Sequence, residues 1–209
     1  MVATSPDRLG SPSSARERIL DTAYDLFSQR GIRGVGVDEV VERSGVAKAT
    51  LYRHFPAKDD LVVAFLELRE QRWSRGLEME AKRRGTSPED QLLAIFDVFE
   101  EWFRRDDFEA CSFVNTLLEL GPQHPAARAA AVHLANIRSI LRELAEAAGL
   151  RDPAGFTHSL QLVMKGSIIA AAEGDANAAK RGRSIARLLV DDYRCQSAMP
   201  VARCGTTLR

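Results

Sequence analysis

Residues 47–55 read Ala-Lys-Ala-Thr-Leu-Tyr-Arg-His-Phe, a run of hydrogen-bonding side chains with no acid among them. Stepped around a helix at about 100° per residue, Ala47, Leu51 and Phe55 point inward, and Ala49 and Arg53 point the opposite way. Thr50 and Tyr52 lie on the two flanks, and His54 lies near the buried edge. A small residue, a hydroxyl, a phenol and a guanidinium on one exposed surface suit close approach to a major groove. Arg bridges guanine edges there, and hydroxyls hold phosphates.

Such a surface needs a rigid mount, and the flanking sequence provides one. Val37, Val40 and Val41, spaced three and four apart, give a short helix one apolar edge. Ser44-Gly45-Val46 interrupts it, and Gly45 can take the left-handed backbone that a steep turn between two helices requires. Residues 37–61 therefore read as a helix-turn-helix. Upstream, Ser14-Ala15-Arg16-Glu17 has the spacing of a capping box, and Ile19, Leu20, Ala23, Leu26 and Phe27 recur at the helical period until Gly31. That helix completes a three-helix unit and puts Arg16 and Arg18 near its start, within reach of phosphates.

Residues 15–66 resemble the N-terminal domain of the TetR/AcrR family of transcriptional regulators, and Thr-Leu-Tyr-x-His-Phe-x-x-Lys-x-x-Leu at 50–61 is the most specific part of the likeness. The resemblance implies that Thr50, Tyr52, His54 and Lys58 contact DNA backbone or base edges, with Lys48 and Arg53 as variable readers and Ala49 at the close approach. The chain departs from the family at Val35-Gly36-Val37, where Ser or Thr is usual, so a hydroxyl cap and one phosphate contact are absent.

Composition limits the alternatives. The 209 residues carry 29 basic and 29 acidic side chains, so attraction to DNA has to come from a local patch. Residues 8–58 hold nine basic groups against six acids, which predicts moderate, salt-sensitive binding. Three cysteines, no signal peptide and no apolar run able to cross a bilayer predict a cytoplasmic location without a membrane partner. The four histidines and three cysteines show no metal spacing, and no catalytic triad, paired carboxylates or Gly-rich phosphate loop appears, so neither an enzyme nor a cofactor is expected.

The rest of the chain predicts helices only. Pro56 restarts the chain into a helix over 57–75 with Leu61, Phe65, Leu68 and Trp73 inward; helices then follow from Pro88, Ser112, Pro125, Asp152-Pro153 and Asp175 or Asn177. The expected fold is all-α. A flexible arm (1–13) precedes a helix-turn-helix domain (14–62), then a helical ligand-binding and dimerisation domain (63–193) and a disordered tail (194–209). The resemblance implies a homodimer formed through the last two long helices, a double-stranded DNA operator and an apolar small-molecule effector. Trp102, Phe103, Phe113, Leu117, Phe156, Met164 and Ile168 are candidate pocket walls, with Asn115, Glu119 and His133 orienting the ligand. Asn115 and Glu119 are singled out because four positions apart is one helix face. A competing class is an all-α architectural or protein-interaction module that uses its helix-turn-helix for packing alone.

Overall fold

The computed structural model describes residues 14–195, and every described element is helical. Helix α1 spans Ala15–Arg30, α2 Val37–Ser44, α3 Lys48–His54 and α4 Lys58–Arg69. A π-helical turn, Glu70–Ser74, leads without a break into α5, Arg75–Arg84. Then come α6 (Pro88–Phe103), α7 (Ser112–Leu120), α8 (Pro125–Ala147), α9 (Pro153–Ala172) and α10 (Ala178–Cys195).

Local chemistry sets these boundaries. The capping box at α1 is complete: Ser14 N–H donates to Glu17 Oε2 at 2.7 Å, and Glu17 N–H donates to Ser14 Oγ at 3.2 Å. Ser87 and Asp152 accept N–H groups in the same way at the starts of α6 and α9, each followed by a first-turn proline. Gly45 closes α2 at φ 66°, the left-handed geometry that lets α3 leave steeply.

Three sequence expectations change. The helix after Pro56 does not run as one α-helix to residue 75, because it passes through the π-turn after Arg69 and continues to Arg84. Ala47 does not point inward; it is the exposed, extended residue before α3, since a helix's flanking residue has left helical geometry and no longer follows its periodicity. The last helix extends through Arg194 to Cys195, where a tail was expected from residue 194; Arg194 pairs with Glu89 of α6. The arm at 1–13 and the remainder of the tail, including Cys204, lie outside the described residues.

One apolar core joins the elements, running from Ile19 in α1 through Phe65 in α4 and Phe99 in α6 to Phe156 in α9 and Val190 in α10. Helix α10 packs on α9 and α6, α5 packs on α6, and α7 and α9 pack on α8. At the junction with the first three helices, Arg69 Nη1 is buried and reaches Glu109 Oε1 at 2.7 Å and the Tyr24 hydroxyl at 2.8 Å. A buried guanidinium needs such partners, because removing it from water unpaired costs several kcal/mol, on the order of 3–5.

Candidate nucleic-acid interface

Leu51 and Phe55 anchor α3 in the core, both almost completely buried. With that face fixed, Lys48, Ala49, Tyr52 and Arg53 are exposed, and Thr50 and His54 are half-buried at its margins. Six of the seven residues expected to meet DNA therefore share one helical surface.

The charges around this surface are arranged in pairs. Lys48 Nζ lies 2.6 Å from Asp38 Oδ1 at the start of α2, and that hydrogen bond raises the lysine pKa and keeps it charged. Glu39 is held by Arg30 at 2.5 Å and by Arg43 at 3.6 Å. Two of the three α2 acids, Asp38 and Glu39, are thus paired with cations, Glu42 is exposed, and Arg53 has no protein partner among the described residues. Arg16 lies over the Phe55 ring, 5.2 Å from its centroid, so one of the two α1 arginines leans on α3's own anchor.

Lys58 stands apart from the others. Its Nζ donates to the Ile32 carbonyl at 2.5 Å and sits 5.9 Å over the Phe27 ring. Burial pushes its pKa down, and the nearby Glu119 charge opposes that shift.

The expected pocket residues are scattered. Trp102, Met164 and Ile168 are buried, and Trp102 packs in an aromatic cluster with Trp73, Phe99, Phe103 and Phe108 at centroid distances of 4.9–5.7 Å. Phe156 packs edge-on to Tyr193 in the core. Phe113 stacks 5.1 Å from His133, whose Nδ1 is 2.8 Å from Glu70 Oε2 without hydrogen-bond alignment. Leu117 is half-buried beside that core. Asn115 is exposed, its amide 3.5 Å from the Glu109 carbonyl.

Glu119 does not face a pocket. Its carboxylate accepts the backbone N–H groups of Ile32, at 2.9 Å, and of Arg33. The shared helix face of Asn115 and Glu119 is real, but α7 turns it toward solvent and the α1–α2 turn, because its other face is spent on α8. An apolar cavity of about 20 Å³, room for one water, lies elsewhere. Ser74, Leu77, Ala81, Ile95, Ile137, Leu141 and Leu144 line it, none of them foreseen. The signal that could have found them was the helical repeat of Ile137, Leu141 and Leu144, which reads as ordinary core.

Among the described residues no group of three His, Cys, Asp or Glu side chains is placed to hold a metal, and no helix is long and apolar enough to cross a membrane. Cys111 is a half-buried free thiol whose pKa is raised by burial.

Two buried anchors, a left-handed glycine turn and an acid-free outer face, carried on a helical bundle, define a helix-turn-helix protein with an appended all-α domain. A family model described as bacterial regulatory proteins, tetR family, matches residues 19–65. A crystal structure of a putative tetR transcriptional regulator from Streptomyces avermitilis is 30% identical, with a TM-score of 0.79, over 87% of this chain and 98% of that one. The chain belongs to the tetR family of bacterial regulatory proteins. Two curated relatives are from Mycolicibacterium smegmatis. The transcriptional activator FasR is 32% identical over 44% of this chain and 41% of its own, and the transcriptional repressor KstR2 is 28% identical over 44% of both. These matches span less than half the length of either curated relative.

Proposed function

We propose that this chain is a homodimeric, DNA-binding transcriptional regulator, a repressor that a small apolar effector releases from a pseudo-palindromic operator. The division of labour is a reading domain at 14–62 and an effector and dimerisation domain at 63–193. The observation that carries the proposal is the outer face of α3, where Thr50, Tyr52 and Arg53 project from a helix pinned by Leu51 and Phe55, with Asp38 and Glu39 of α2 held by cations. A mere packing role for this helix-turn-helix would not need an acid-free hydrogen-bonding surface turned outward. Operator binding places the protein in the cytoplasm.

The test is to incubate the chain with random-sequence duplexes and sequence what it retains. Enrichment of an inverted repeat is the expected result; retention without sequence preference would support the architectural alternative.

The dimer reading rests on α9 and α10. Leu162, Ile169, Ile185 and Leu188 are between 47% and 69% exposed, so two adjacent helices present large apolar side chains to solvent. A second copy related by a two-fold axis would cover them. Leu188→Glu then places like charges near that axis and is expected to convert the dimer to monomer in sedimentation velocity, with loss of operator binding. A Leu188→Glu chain that sediments as wild type would move the interface elsewhere.

A further inference from the structure

Ile32 is gripped from both sides. Its N–H is held by Glu119 of α7, and its carbonyl is held by Lys58, the first residue of α4. The neighbouring Arg33 N–H is held by the other oxygen of the same carboxylate. Gly31 permits the approach. It sits at φ 74°, and a Cβ there would lie 3.0 Å from Glu119 Oε2. The bundle therefore touches the helix-turn-helix at the backbone turn against which Lys58 rests.

An ammonium in this seam is partly desolvated, and a carboxylate close by favours keeping it there. A DNA phosphate offers the same cation a competing anion. Lys58 lies in the first turn of α4, so moving from the seam to a phosphate requires only rotation about side-chain bonds.

From this arrangement we propose that Glu119 is a positioning residue that acts through Ile32 to latch Lys58 in the interdomain seam, withholding one cation from the DNA phosphates. The proposal rests on the DNA-binding reading above and deepens it by naming the contact through which the bundle sets affinity. An effector that draws α7 tighter onto the turn lowers operator affinity, which is the sign that a released repressor needs.

Glu119→Gln tests it. The carboxamide carries no charge and cannot accept the two N–H groups on separate oxygens. Affinity for a duplex recovered by the selection is expected to rise about three- to tenfold at moderate salt, and the slope of log affinity against log salt should steepen by about two, one phosphate contact for each half-site. The same gain is expected on a scrambled duplex, because a phosphate contact carries no sequence information. In a Lys58→Met background, Glu119→Gln should change neither quantity. Glu119→Asp, gentler on the fold, should give a smaller gain that Lys58→Met again abolishes. No gain in either Glu119 variant, a weakening, or a gain that survives Lys58→Met would overturn the latch. A purely structural role for Glu119 would shift melting temperature without moving the salt slope. A wild-type chain that retains no DNA would overturn the DNA-binding reading itself, whereas wild-type binding with an unchanged Glu119→Gln removes the latch alone.

Discussion

Replacing Tyr52 by Ala is expected to weaken operator binding by roughly a hundredfold in fluorescence anisotropy while leaving the fold intact. The phenol is 41% exposed on a flank of α3, so its removal opens no enclosed cavity. An exposed position of this kind changes stability by less than about 0.5 kcal/mol. A hydroxyl donating to a charged phosphate oxygen contributes about 1.5 kcal/mol or more. Because a two-fold complex contains the contact twice, the loss is about 3 kcal/mol, roughly a hundredfold in Kd. Tyr52→Phe separates the hydroxyl from the ring and should reproduce most of the loss if the phosphate bond dominates. Wild-type affinity in Tyr52→Ala would remove α3 from the interface.

Phe65→Ala is expected to produce the largest stability change among single core truncations near the reading helix. The ring is fully buried on α4 and meets Tyr24 and Phe27 of α1 edge-on, with both centroids at 5.6 Å. Truncation leaves both partners facing a void, at a cost of about 3–5 kcal/mol. For a chain of this size that corresponds to a fall in melting temperature of roughly 6–20 °C. Since α1 is the base on which α2 and α3 sit, DNA binding should decline in step with the folded fraction and not before it. A shift of less than about 3 °C in calorimetry would mean that α1 is fastened to α4 by other contacts.

Much of the fold was legible because helix ends are local chemistry. Ser14, Ser87, Asp152 and the prolines after the latter two mark starts within a few residues, and Gly31 and Gly45 mark ends. The outer face of α3 was legible for the same reason: Leu51 and Phe55 fix its rotation, and the rest follows by counting.

What counting could not supply was partners distant in sequence. Glu119 and Ile32 are 87 positions apart, and no periodicity connects a carboxylate on α7 with two amides in the α1–α2 turn. The hydrogen bond of Lys58 to a carbonyl 26 residues upstream is another such partner. The supposed pocket walls illustrate the converse. Trp102 and Phe103 were apolar and inward as expected, but neighbouring rings satisfy them, and sequence cannot distinguish an aromatic that lines a space from one that fills it.

The π-turn between α4 and α5 also has a consequence for phase. An i→i+5 turn holds one residue more than an α-helix would, so everything after Ser74 is rotated by about 100° from where a straight helix begun at Lys58 would place it. Continued without that slip, the stripe of Leu61, Phe65 and Arg69 would carry Arg72 and Met79 inward. Both are exposed, and Leu77 and Ala81 are buried in their stead. Residues 58–84 thus form one rod with two incommensurate faces, meeting at Trp73 and Ser74. Deleting a single residue there is equivalent to straightening the rod, which would turn Leu77 and Ala81 off α6 or, if they held, turn the DNA-reading end by the same angle.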